Sequence, residues 1–228
     1  MSRALNNIIS FCFIVVIFIT AIDIISFDRN FYRKEYEELN VAETIGITSD
    51  DLMIVTDKLL NYTQGKDSDL VIIKPINGQE REVFNDKEKE HMIDVAKLYQ
   101  NAILVRNSAL AIVVFGLLII SIKLKTAVFA KLFTSYNKTS MFVLFLITII
   151  MLIALVDFNW FWTNFHYIFF AGNDLWILNP RTDILIMMVP EQFFYDLVMR
   201  IATTFILTFL LTNIVAYFNA KRIEKRAS

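Results

Sequence analysis

The stretch 85-NDKEKEHMIDVAKLYQNAILVRNSALAIVVFGLLIISI-122 reads as one helix that starts in water and ends in lipid. Its first turn carries a start signal: Asn85 as N-cap and Glu88 three residues later, a capping box with Asn in place of Ser or Thr. No glycine or proline interrupts residues 86–115. Residues 102–122 are predominantly apolar and match the roughly 20 helical residues needed to cross a hydrocarbon core of about 30 Å. His91, one of only two histidines in the chain, would stand about 16 Å from Ala102 along the helix axis.

Three further segments have the length and character of spans: 7–26, 140–158 and 196–218. Lipid offers no partner to a free backbone N–H, so these must be helices. Lys and Arg near the span ends set the orientation. Arg3 precedes the first span, Lys123, Lys125, Lys131 and Lys138 fill 123–139, and Lys221, Arg222, Lys225 and Arg226 follow the fourth. Residues 1–26 are therefore expected to form span 1 with a cytoplasmic N-terminus. The segment 123–139 is expected as a cytoplasmic loop and 219–228 as a basic cytoplasmic tail. Residues 27–101 and 159–195 then lie outside. The outer segment 27–101 holds sixteen Asp/Glu against ten Lys/Arg, which long loops tolerate on translocation. A cleaved leader would need a small-x-small site, and only Ile19-Thr20-Ala21 comes near one; a retained signal-anchor is the expectation.

The 228 residues are 56% hydrophobic with a net charge of −1, which excludes a strongly basic nucleic-acid binder. The one cysteine, Cys12, cannot form an internal disulfide, and no CxxC, HExxH, GxSxG, P-loop or GxGxxG motif occurs. Outside the spans, 48-TSDDLMIVTDKLLNYTQG-65 reads as a capped amphipathic helix. The runs 70–75 and 80–84 flank 76-INGQ-79, whose Asn-Gly is a strong hairpin signal. The expected fold is a mainly α membrane protein: four transmembrane helices with a small α+β extracytoplasmic domain (helix, β-hairpin, helix) between spans 1 and 2.

Glu88, His91 and Asp94 share one helix face, where an Asp at i+3 can fix and charge an imidazole. A solvated face, 86-DKEKEH-91, is the plainer reading. His166 lies in 158-FNWFWTNFHYIFF-170, an aromatic belt of the kind found at a membrane surface; its plainer reading is an interfacial side chain with a wet tip. Both histidines fall on the outer side. Asp23, Arg106, Asp157, Asp196 and Arg200 are expected at the same depth, where such residues face a bundle interior, a cavity or the headgroups. Snorkelling by Arg106 and Arg200 and a polar cavity lined by Asp23, Asp157 and Trp176 both fit. The run 184-ILIMMV-189 is too short to span and reads as re-entrant or interfacial. Trp176, Phe193, Phe194 and Tyr195 would anchor it at headgroup level.

Two histidines without a third clear ligand make a poor zinc site, and only Asp94 or Asp183 could complete one. No serine sits in a recognisable elbow, and Cys12 is at the wrong depth for a nucleophile. General acid–base chemistry by imidazole is what remains.

The pattern 84-FNDKEKEHMIDV-95, followed about 70 residues later by 165-FHYIFFAGNDLWILNPRTDILIMMVPEQFF-194, resembles the lipoprotein intramolecular transacylase (Lit) family of Gram-positive bacteria. The layout of four spans with an outer domain between the first two is similar as well. The resemblance implies a substrate: a diacylglyceryl lipoprotein with a free α-amine on its N-terminal cysteine. It also implies a reaction, transfer of the sn-2 acyl chain to that amine to give lyso-form lipoprotein, with catalytic histidines at His91 and His166. On this reading His91 is provisionally the base, assisted by Asp94, and His166 the acid or electrophile. Arg106 and Arg200 are candidate oxyanion donors, and Asp183 a further supporting residue. No metal, cofactor or nucleic acid is expected, and the partners are the lipoprotein and membrane lipid. A non-enzymatic scaffold or sensor and a zinc-dependent membrane hydrolase are the rival classes.

Overall fold

The computed structural model describes residues 3–123 and 127–227. In chain order the elements are α1 (Arg3–Ser26), α2 (Arg29–Glu38), α3 (Val41–Ile45), α4 (Ser49–Thr63), β1 (Ile73–Ile76), β2 (Gln79–Glu82), α5 (Asp86–Lys123), α6 (Ala127–Val156), α7 (Phe158–Phe169), α8 (Ile184–Met188) and α9 (Glu191–Ala227). Among the described residues four helices are long and apolar enough to cross a membrane: Ala4–Ser26, Asp86–Ile122, Phe129–Val156 and Glu191–Ile223. The chain divides into two compact units. One holds Met1–Ile25, Ile103–Val156 and Met199–Ser228, and the other Ser26–Ala102 and Asp157–Val198.

The first unit is built from the apolar helices. Ile14 and Ala21 of α1, Tyr136 of α6, and Phe205, Phe209 and Ala216 of α9 form one buried cluster. Ile9, Val113, Ile120 and Leu132 form a second, joining α1, α5 and α6. Gly116 allows the close approach of α1 to α5, because a Cβ there would lie 2.6 Å from Ile9 Cδ1. Large apolar side chains such as Phe115, Met141 and Leu207 point outward at 66%, 76% and 64% exposure. So large an apolar surface fits hydrocarbon rather than water.

One expectation needs correction here. The loop expected at 123–139 is largely helix, because α6 begins at Ala127; residues 124–126 lie outside the described residues. The cause is visible in 127-AVFAKLFTSYNKT-139, which lacks glycine and proline and sends Leu132 and Tyr136 into the two buried clusters. In the basic tail expected at 219–228, α9 continues through Ala227.

The second unit contains the elements expected from sequence and further helices that were not. α4 starts where Thr48 accepts from Asp51 N at 3.1 Å. The hairpin pairs Ile76 with Gln79 around Asn77 and Gly78, at φ +52 and +76, the left-handed pair that a two-residue I′ turn demands. α2 was not anticipated, although Asp28 caps it and accepts from Asn30 N at 3.1 Å. Its Phe31, Tyr32 and Tyr36 surround the fully buried Phe193, with ring centroids 5.3, 5.0 and 6.1 Å away. α7 forms where the belt was read, because Asp157 interrupts the α6 helix and accepts from Trp160 N at 2.9 Å.

Gly46 ends α3 at φ +76. Its carbonyl accepts from Asn77 N at 2.8 Å, and a Cβ at Gly46 would fall 2.0 Å from Asn77 Oδ1. Gly46→Ala is therefore expected to destabilise the chain by about 1–3 kcal/mol, read as a lower melting temperature in detergent. Gly78→Ala, where the new methyl meets no described atom within 4 Å beyond Gly78 and its chain neighbours, should lose less because backbone strain acts alone.

Candidate active site

The site starts at the N-terminus of α5. Glu88 N donates to Asn85 Oδ1 at 3.0 Å, and Asn85 N donates to Glu88 Oε2 at 2.7 Å, which is the reciprocal box read from the sequence. The other oxygen, Glu88 Oε1, accepts from Leu185 N at 2.6 Å. One carboxylate, only 1% exposed, thus closes one helix and grips the first turn of another. Burial outweighs these N–H bonds and pushes the Glu88 carboxyl above its ordinary range. Asp183 sits beside it, buried. It accepts from Asn85 Nδ2 at 3.1 Å, Asn179 N at 2.7 Å and Thr182 Oγ1 at 3.0 Å. Its role is to fold the 179–185 turn onto α5.

One turn further along α5 lies His91, 6% exposed. The imidazoles of His91 and His166 meet with ring centroids 6.2 Å apart and planes inclined by 31°. Residues separated by 75 positions are brought together within one unit. His166 Nδ1 lies 2.8 Å from the Trp162 carbonyl, one helical turn back on α7. A carbonyl can only accept, so Nδ1 carries the proton, and in the neutral ring the lone pair is on Nε2. Aromatic rings enclose the pair. Trp162, Phe165, Phe170 and Trp176 lie 5.0, 5.7, 5.4 and 5.0 Å from the His166 ring, and Phe170 lies 5.2 Å from His91.

His91 Nδ1 is buried and has no hydrogen-bond partner among the described residues. Asp94 therefore does not grip that nitrogen, contrary to the expected i+3 bond. Its Oδ2 accepts from Asn173 Nδ2 at 3.0 Å, and Lys97 lies 3.6 Å from Oδ1. Burial lowers the His91 pKa to about 4; the charge of His166 works in the same direction, and the field of Asp94 opposes it. Burial also lowers His166, against the bond to the Trp162 carbonyl. Burial thus favours the neutral form of both rings.

The other sequence-selected residues have partners or settings of their own. Asp157 is exposed and caps α7, so it does not line the imidazole site. Asp23 and Arg106 belong to the unit of long helices and pair at 2.6 Å. Arg200, also in that unit, is exposed. Trp176 is the one residue of the proposed pocket set found against an imidazole. Among the described residues no three or more His, Cys, Asp or Glu gather as a metal would require. Asp94 and Asp183, the ligands considered for zinc, are engaged as described above. Sequence reasoning missed Asn173, the Trp162 carbonyl and Phe170. The last two follow from helical spacing once α7 is recognised, since residues 162, 166 and 170 share a face. Asn173 sits in 171-AGND-174, whose composition announces only a turn.

The family model for lipoprotein intramolecular transacylase Lit matches residues 7–194. The chain belongs to the lipoprotein intramolecular transacylase Lit family. It is accordingly a multi-pass membrane enzyme, and the scaffold-or-sensor reading is not favoured. Solved structures agree on the fold. The membrane-integral lipoprotein intramolecular transacylase Lit from Bacillus cereus superposes with a TM-score of 0.80 at 22% identity, over 99% of this chain and 98% of that one. A variant of the same protein with a histidine replaced by alanine gives 0.74 at 22% identity, over 99% and 96%. Another, with arginine in place of histidine, gives 0.72 at 21%, over 99% and 92%. No curated protein matches this family member.

The Asp23–Arg106 pair separates two roles for Arg106. Both side chains are about three-quarters buried, so removing one partner should cost about 3–5 kcal/mol. Arg106→Met is expected to lower the melting temperature, and Asp23→Leu in the same chain to restore much of it. Per folded molecule, transacylation should stay within about tenfold of the parent, whereas loss of an oxyanion donor costs roughly 10²–10³.

Proposed function

We propose that this enzyme moves the sn-2 acyl chain of a diacylglyceryl-modified lipoprotein from the glyceryl ester to the α-amine of the same N-terminal cysteine, giving lyso-form lipoprotein. The observation that carries the proposal is the approach of the two imidazoles, 6.2 Å between ring centres, with aromatic rings against them. The positive-inside pattern supports a site on the extracytoplasmic side.

The nucleophile belongs to the substrate. An α-amine has a pKa of about 7.7–8.0, so a useful fraction is unprotonated near neutrality. As its nitrogen attacks the ester carbonyl carbon, a C–N bond forms and a tetrahedral oxyanion develops. His166 is suited to take the amine proton: its ring is oriented by the Trp162 carbonyl and its Nε2 carries the free pair. That carbonyl also stabilises the imidazolium which results. The same proton then passes to the glyceryl oxygen as the C–O bond breaks, leaving an amide and a free hydroxyl. His91, neutral at pH 7, is suited to donate a ring N–H to the oxyanion, as neutral imidazoles with lowered pKa do elsewhere. The tautomer of His166 and the unpartnered Nδ1 of His91 thus favour exchanging the provisional roles, with His166 as base and His91 as electrophile.

No ATP or external acyl donor is needed, because the amide is more stable than the ester. Amine and ester share one molecule, so what the enzyme adds is to hold a floppy ring of about eight atoms in reactive geometry. The lipoprotein polypeptide leaves through water.

His91→Ala and His166→Ala are each expected to reduce transfer by about 10²–10⁴. The readout is mass spectrometry of lipoprotein N-termini in cells that still insert the variants normally. Undiminished lyso-form lipoprotein with both variants would contradict the proposal.

A further inference from the structure

The segment after α7 returns to α5 through a folded turn. Gly172 at φ +107 precedes it. Asn173 Oδ1 accepts from Leu175 N at 3.1 Å, and Ile177 N donates to the Asp174 carbonyl at 3.1 Å. Two bonds tie this turn to α5. Asn173 Nδ2 donates to Asp94 Oδ2 at 3.0 Å, and Lys87 Nζ donates to the Ile177 carbonyl. Lys87, His91 and Asp94 lie at i, i+4 and i+7, on one face of α5. Trp176 sits between the two ties. Its indole lies 5.0 Å from the His166 ring and 5.1 Å from Tyr167.

We propose that Asp94 and Asn173 are positioning residues: their hydrogen bond is a strap that holds the Trp176 indole against His166. This rests on the catalytic reading of the imidazole pair and goes beyond it by giving Asp94 a different task. A carboxylate three residues from a histidine suggests direct support of that histidine. Here the carboxylate is turned to the Asn173 amide instead, and His91 Nδ1 has no partner among the described residues. The strap acts on the other imidazole. With Trp162, Phe165 and Phe170 already around His166, the indole closes a further side. Closure excludes water and holds the ring at one angle to the incoming amine. A displacement of an ångström at such a ring costs up to about 10²-fold in rate.

The test uses the full chain in detergent with a diacylglyceryl lipopeptide whose cysteine amine is free. Asn173→Ala and Asp94→Ala are expected to reduce kcat by similar factors, roughly 10–100-fold, with a smaller change in KM. The double variant should be no worse than either single, because both remove one interaction. Asp94→Asn keeps an oxygen able to accept from Asn173, so it should retain most of the activity. In Asn173→Ala the acid limb of the pH profile should move toward that of an ordinary imidazole, because water reaches His166. A second readout does not depend on turnover. With 5-fluorotryptophan in place of the three tryptophans, the resonance lost in Trp176→Phe should shift in Asn173→Ala and Asp94→Ala and stay in place in Asp94→Asn. Additive losses would overturn the strap. So would an Asp94→Asn variant as impaired as Asp94→Ala beside an unimpaired Asn173→Ala. Activity persisting without either histidine would overturn the catalytic reading instead, and the fluorine spectra would still judge the strap.

Discussion

Everything at the imidazole pair depends on where α5 begins, and one buried carboxylate decides that. Glu88 closes the first turn of α5 through Asn85 N and reaches Leu185 N with its second oxygen. Two backbone donors that would otherwise be orphaned at helix starts are satisfied by a single side chain. Losing it would leave the buried Leu185 N–H unpaired, at about 1–3 kcal/mol. Asp183, through Asn85, Asn179 and Thr182, continues the grip along the chain. The start of α5 is thereby fixed against the segment 179–185, and His91 is carried one turn further on.

Burial then sets the chemistry. Carboxylates near the two rings are committed elsewhere: Glu88 to backbone amides, Asp94 to Asn173, Asp183 to its own turn. Aromatic rings supply the remaining walls. Without a counter-ion in contact, a buried imidazole prefers to be neutral, and two adjacent ones reinforce that preference. A neutral pair with distinct hydrogen-bonding environments is what an acyl shift between two neutral functional groups calls for: one lone pair to take a proton and one N–H to meet an oxyanion.

Much of this was legible from sequence because it is local. The capping box, the Asn-Gly turn and the uninterrupted apolar runs each declare themselves within a few residues. The helical extension of α6 was obscured because Lys131 and Lys138 suggested a loop, while Leu132 and Tyr136 at helical spacing argued otherwise. α2 was obscured by its charge, although Phe31, Tyr32 and Tyr36 already mark one face. The meeting of His91 with His166 followed from family resemblance and not from spacing, since no local pattern encodes a contact across 75 residues. The partner of Asp94 was illegible for the same reason: an i+3 histidine is visible in sequence, an asparagine in a distant turn is not. Asp157 showed the converse error, a costly residue near a span end that turned out to cap a helix.

The central claim is that both rings are neutral at working pH and differ in tautomer, and the chain's two histidines make it directly measurable. Ring-labelled ¹⁵N-histidine incorporated in the detergent-solubilised protein gives two imidazole spin systems, assigned with one substitution. At pH 7 the account predicts two neutral rings, the His166 proton on Nδ1, and a His91 titration that falls toward about 4. An imidazolium at pH 7, or a His166 proton on Nε2, would contradict it.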